Sequence, residues 1–195
     1  MLATLNRLGR RRFAREERGQ GLVEFALILP VVLLILVGII EFGSVYSKII
    51  SMRQGIREAG RQGSVANWGS DPNCASKLTG VSGASLDIQQ LMCLAKDQAG
   101  VGDGVRVRVA FADANIQNPK LDGTNYVLGS SIVVCAIYPI QSLTGLMQPF
   151  LDNRYATTKS AFRIEKLGSG GAHSETGGNE TAPPGKNWDS WCPAA

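Results

Sequence analysis

Histidine is almost missing from this chain. Of 195 residues one is a histidine, His173, and it lies in a Gly/Ser-rich stretch near the C-terminus. No two of the four cysteines form a C-x-x-C pair. Zinc sites draw their ligands from closely spaced Cys and His, so no metal site is expected. No serine or cysteine is matched to a base, and His173 reads as an inert tail residue. The one compact glycine-rich stretch, Gly100–Gly104, precedes a strand-like segment, the wrong order for phosphate binding. These absences exclude the usual acid/base and nucleophile constellations. They lead to the expectation of a non-enzymatic protein without a cofactor.

Charge is sparse as well, and it is lopsided. The formal net charge is +4. Residues 1–21 carry six arginines and two glutamates, which accounts for all of it; the remaining 14 basic and 14 acidic residues cancel. A nucleic-acid partner is therefore not expected, because the basic residues form an N-terminal patch and not a binding face.

What the chain does have is a long apolar run. Gly21–Ile40 is broken only by Glu24. As a helix this run is about 30 Å long, the thickness of a bilayer core. It is apolar on all faces, unlike a core helix of a soluble domain. No A-x-A pattern follows it, unlike a cleaved secretory signal. A single membrane span over 21–40 is expected, with the bilayer as partner. The arginines on its N-terminal side place that end in the cytoplasm and the rest of the chain outside the cell membrane. All four cysteines, Cys74, Cys93, Cys135 and Cys192, then fall on the oxidising side, where disulfides are the default. Four cysteines allow three pairings. The short loop favours Cys74–Cys93, which leaves Cys135–Cys192.

The helix does not stop with the span. Phe42, Val45, Tyr46, Ile49, Met52, Ile56 and Ala59 follow at steps of three and four, one face of a helix from about Gln20 to Ser64. Such a rod is about 67 Å long, and its outer stripe needs a cover. Glu41 falls at the outer edge of the span, where a solvated carboxylate is cheap. Downstream, Ser85–Ala99 has helical spacing with Gly100 as its stop. Val105–Phe111 alternates as a half-buried strand with Arg106 and Arg108 towards water. Asp113–Leu128 is a polar connection. Ser130–Tyr138 reads as a more central strand, Ser142–Leu151 as a short helix and Tyr155–Ile164 as a third strand. The fold class is α+β, a long N-terminal helix packed on a small antiparallel sheet of about three strands. The chain divides into a basic leader (1–19), the long helix (20–64), an extracytoplasmic α+β domain (65–167) and a Gly/Ser/Pro-rich tail (168–195). The tail is expected to be disordered up to its end, where Trp188, Trp191 and Cys192 point to docking. Gly21, Gly38 and Gly43 are candidates for close helix contacts, although Gly38 and Gly43 lack the four-residue spacing.

Glu24 needs a reason, since a charged side chain at the bilayer centre costs about 2.5–3.5 kcal/mol. The stretch "RGQGLVEFALILPVVLLILVGIIEFG" supplies one. A basic leader, Gly19, then Glu24 five residues on and an apolar helix resemble a type IV prepilin. The Glu24–Phe25 pair and the run that follows are similar, more narrowly, to the TadE-like minor pseudopilins of the tight-adherence (Flp) pilus system, over about residues 18–61. The resemblance implies a pilin-like fold. It also implies cleavage between Gly19 and Gln20 by a prepilin peptidase, which makes Glu24 the fifth residue of the mature chain; a cut after Gly21 would make it the third. It further implies that Glu24 pairs with the N-terminal amine of a neighbouring subunit, that Pro30 kinks the helix, and that other pilins or pseudopilins and the Tad assembly machinery are partners. An uncleaved, signal-anchored extracellular binding domain is the alternative with the same topology. It gives Gly19 and Glu24 no role.

Overall fold

The computed structural model describes residues 6–102, 104–112, 128–168, 175 and 177–192, with side chains from Gly19 onward. His173 and nearly all of the 113–128 connection lie outside the described residues. The chain divides into two compact units, Met1–Ser44 and Val45–Ala195.

The first unit is helical. Helix α1 spans Asn6–Gly63, with Pro30 inside it, and so continues into the second unit. It begins well before Gln20, so the leader joins the helix where a separate segment was expected. Its residues from Leu22 to Ile40 expose nearly every large apolar side chain. Such a surface fits hydrocarbon and not water. Glu41 departs from its expected setting: it is 2% exposed, not solvated.

The second unit is an α+β domain. After α1 come α2 (Cys74–Lys77), α3 (Leu86–Ala99), strand β1 (Arg106–Ala112), strand β2 (Ser131–Pro139), the single-turn α4 (Gln148–Leu151), strand β3 (Tyr155–Arg163) and the two-residue β4 (Gly178–Asn179). Ser85 precedes α3, and Gly100 ends it in the left-handed conformation at φ 61°. The sheet order is β3-β2-β1-β4, and every pair is antiparallel. Four strands are present where about three were expected, the fourth coming from the tail.

The alternating pattern puts Val107, Val109, Phe111, Ile132, Val134, Ala136 and Phe162 on one face of the sheet. There they pack with Met52, Ile56 and Ala59 of α1 and with Ile88, Leu91, Met92 and Ala95 of α3. The outer stripe of α1 is thus covered from Ile49 onward. Phe42 and Tyr46, placed on the same stripe by spacing, remain exposed. The register fixes direction. Gly63 of α1 approaches Ile132 at the start of β2, and Lys48 lies over the Tyr138 ring near its end, at 5.9 Å. Strand β2 therefore runs back along α1 towards Val45.

Helix α1 approaches the end of α3 closely at Gly55. A Cβ there would stand 2.3 Å from the Ala99 backbone nitrogen at the end of α3, whereas at Gly21, Gly38 and Gly43 it would meet nothing within 4 Å. Gly55, which sequence spacing does not single out, is thus the glycine of α1 that packs on α3. Gly55→Leu should cost about 1–3 kcal/mol or somewhat more, because backbone and not a flexible side chain must yield. Thermal unfolding of this variant should show a clear drop in Tm. Gly43→Ala, in open space within the helix, should not lower Tm.

The second face of the sheet is covered over β2 and β1 but open on β3, where Thr157, Lys159 and Ala161 are exposed. Val133, Cys135 and Ile137 of β2 are covered by Trp188, Cys192 and Trp191. Arg106 and Arg108 project to this covered side; Arg108 donates to Asp189 at 2.5 Å. Alternation had marked these arginines as solvent-facing, but the returning tail overlies them. The tail is accordingly an ordered strap over 177–192, not a disordered segment. It carries β4, which pairs with Arg108 and Val109 of β1, and a turn of 3-10 helix at Trp188–Ser190.

Candidate functional site

Two groups of residues carry chemistry of interest. The first is the expected processing and assembly segment at the start of the span. Gly19, Gln20, Glu24 and Phe25 all lie on α1, and all are exposed. Gln20 and Glu24 are one helical turn apart, so an amine created at Gln20 and the Glu24 carboxylate would share one face. Nothing lies within 4 Å of a Cβ built on Gly19 or Gly21. The backbone at Gly19–Gln20 is helical, whereas a peptidase requires it extended. Glycine costs a helix about 0.8–1.0 kcal/mol relative to alanine. Gly19 and Gly21 flank the bond and make that stretch the cheapest part of the apolar helix to unwind. Pro30 sits inside the continuous helix, where it removes one backbone hydrogen bond.

The second group fastens the strap. The structure bonds Cys74 to Cys93, with a Cα–Cα distance of 5.6 Å, and Cys135 to Cys192, at 6.3 Å. These are the favoured pairings. The first joins α2 to α3, and the second joins the strap to β2. Sequence reasoning missed Glu180. Its side chain is fully buried. One carboxylate oxygen accepts from Lys96 Nζ and from the Thr79 backbone N–H, each at 2.8 Å, and the other accepts from the Val107 N–H at 2.8 Å. Lys96 Nζ also donates to the Lys77 carbonyl at 2.7 Å. Trp188 Nε1 donates to the Glu180 carbonyl at 2.7 Å. One carboxylate thus holds α3, the loop after α2 and the edge of β1 together.

Nearby, Lys77 bridges Asp71 at 2.6 Å and Asp97 at 2.8 Å. The Lys77 ammonium holds the Asp71 carboxyl below its usual range, and Asp71 and then Asp97 raise Lys77. On the outer half of α1, hydrogen bonds from Arg61 and then Gln62 bring Glu58 down to about 2. Pairs this open to solvent contribute little to stability.

Glycine, a carboxylate five residues later and a largely exposed apolar run therefore open the membrane-span part of α1. Residues 19–61 match the family model described as TadE-like protein. The chain carries a TadE-like segment. The match begins at Gly19 and ends at Arg61, spanning the whole apolar run and the outer part of α1 that packs on the sheet. It relates the chain to Tad pilus proteins. No curated protein and no solved structure matches. Among the described residues, one helix is long and apolar enough to cross a membrane, Gly19–Gly63, and it contains the TadE-like segment. The strap and its fastenings lie outside the matched residues.

Proposed function

We propose that this protein is a minor pseudopilin that helps build, initiate or anchor a Flp-type pilus. It has no enzymatic activity of its own. It is made as a precursor with its N-terminus in the cytoplasm, is cut after Gly19 by a prepilin peptidase, and keeps its disulfide-bonded domain outside the cytoplasmic membrane. Other pilins or pseudopilins and the Tad assembly machinery are its partners. The observation that carries the reading is the position of Gly19. It opens the TadE-like match, follows the arginine leader and precedes Glu24 by five residues. The new amine of Gln20 gives a positive charge, and Glu24 a negative one, at the start of an apolar helix. Pairing between neighbouring subunits would offset the cost of either charge alone in hydrocarbon. Helix α1 is the assembly element, and the outer domain contributes partner contacts.

The reading predicts that Gly19→Leu blocks processing. Expressed with an active prepilin peptidase, the wild-type chain should migrate as the shortened form and the variant as the precursor. Normal processing of Gly19→Leu would place the cut elsewhere. The uncleaved signal-anchor alternative predicts one mobility for both.

A further inference from the structure

The connection between β2 and β3 has no role in the account so far. From Pro139 to Leu151 it reads "PIQSLTGLMQPFL", thirteen residues without a charge. Its apolar side chains face outward: Leu143 is 63% exposed, Leu146 58% and Phe150 76%. The loop nevertheless has a defined shape. Ile140 N–H donates to the Arg154 carbonyl at 2.9 Å and closes its neck. Within it, Ser142 N–H donates to Gln148 Oε1 at 3.2 Å, and Leu151 N–H donates to the Met147 carbonyl at 3.1 Å. An ordered loop that holds Leu and Phe in solvent marks a contact surface for membrane or protein.

Its location identifies the occupant. Ile140 and Gln141, at the root of the loop, line a cleft with Val45, Lys48 and Ile49 of α1. Val45 is the fifth residue after Ile40, the last residue of the proposed span. Five residues reach at most about 18 Å in any conformation, and the polar headgroup layer adds several ångströms to each side of the hydrocarbon core. The root of the loop is therefore tethered close to the point where the chain leaves the lipid. Lys48 lines this cleft and Arg154, whose carbonyl closes the neck, is exposed; both are suited to anionic headgroups, and Asp152, two residues before Arg154, accepts from Gln148 Nε2 at 2.6 Å. Apolar side chains at the tip with basic residues behind them are the pattern of an interfacial anchor.

We infer that the Ile140–Leu151 loop inserts into the outer leaflet interface and gives the extracytoplasmic domain a second point of attachment to the membrane. This rests on the reading of 21–40 as a span. The loop would hold the domain against the bilayer before assembly and would have to leave lipid when the helix does.

The test uses the full chain in vesicles of phosphatidylethanolamine and phosphatidylglycerol. A benzophenone amino acid is placed singly at Phe150, at Leu33 in the span, and at Arg163. Arg163 pairs with Ser131 at the opposite end of β3 from Tyr155. After irradiation, mass spectrometry should find lipid adducts at Leu33 and Phe150 and none at Arg163. A Leu146→Asp background should abolish the Phe150 adduct while leaving both disulfides formed. Adducts at Leu33 without any at Phe150 would overturn the loop assignment and leave the span standing. Adducts from Phe150 to a second copy of the chain in place of lipid would make the loop a protein contact and overturn it too. Absence of adducts at Leu33 would remove the span and the loop proposal with it.

Discussion

Glu180→Ala should destabilise the extracytoplasmic domain by about 3–5 kcal/mol, the usual cost of removing one partner from a buried ion pair. The size follows from what is left behind. Lys96 lies almost fully buried opposite the lost carboxylate, and the Thr79 and Val107 N–H groups lose their acceptors. Buried donors without partners cost about 1–3 kcal/mol each in similar settings, although such terms do not add. Glu180→Gln should cost less but not be neutral, since its amide must turn an N–H towards one of these donors. Urea unfolding of the purified domain-bearing chain measures this. Lys96→Met should also destabilise, and the Glu180→Met Lys96→Met double variant should be milder than the sum of the two. Additive losses would mean that the two groups do not act as a pair.

Breaking Cys135–Cys192 should be of similar size. The bond closes a separation of 57 residues, and a loop of that length is worth about 4 kcal/mol in the chain-entropy account of cross-links. Cys192→Ser should therefore lower stability by several kcal/mol. It should also make the strap the first segment to be cut by protease, because no covalent bond then backs the packing, the two-residue β4 pairing and the Trp188–Glu180 and Arg108–Asp189 contacts that hold it. The Cys74–Cys93 bond closes a shorter separation of 19 residues, so Cys74→Ser should cost less. Limited proteolysis under non-reducing conditions distinguishes the two. Equal protection of the strap in wild type and Cys192→Ser would show that the disulfide is not what fastens it.

These two results also mark where the sequence is a good guide and where it is not. Alternation over Val105–Phe111 identifies one strand, because a half-buried pleated segment repeats every second residue, and the β-branched and aromatic content of Ser130–Tyr138 identifies a second, which is buried on both faces. Steps of three and four identify the part of α1 that lies under the sheet, from Ile49 to Ala59. The same spacing overran at Phe42 and Tyr46, since periodicity reports an apolar face without reporting what covers it. Arg106 and Arg108 show the converse error. Their polarity implied water, but a strap arriving from more than seventy residues away in sequence lies over them. That strap was invisible because Gly, Ser and Pro composition describes local chain preference. Its order comes from a distant cysteine and from Glu180, a single glutamate that looks like any solvated charge. Gly55 was passed over for the same reason: nothing local distinguishes it from Gly43, and only the position of Ala99 does.

The TadE-like segment was legible for the opposite reason, and the proposed processing site within it is read the same way. Its chemistry is local. A peptidase reads a few consecutive residues, so a basic leader, Gly19 and Glu24 at fixed spacing carry the signal without reference to the fold. What the spacing did not reveal is that α1 runs unbroken through the Gly19–Gln20 bond. The proposed cleavage would require local unwinding at the membrane surface, which Gly19 and Gly21 would ease.

The central claim is that the mature chain begins at Gln20. Intact-mass analysis and N-terminal peptide mapping of the membrane-bound protein, from cells with an active prepilin peptidase, test it most directly. The account predicts a chain shortened by nineteen residues, with Gln20 first and Glu24 fifth. A chain that retains Met1–Gly19 in those cells, or one that begins at Leu22, would contradict it.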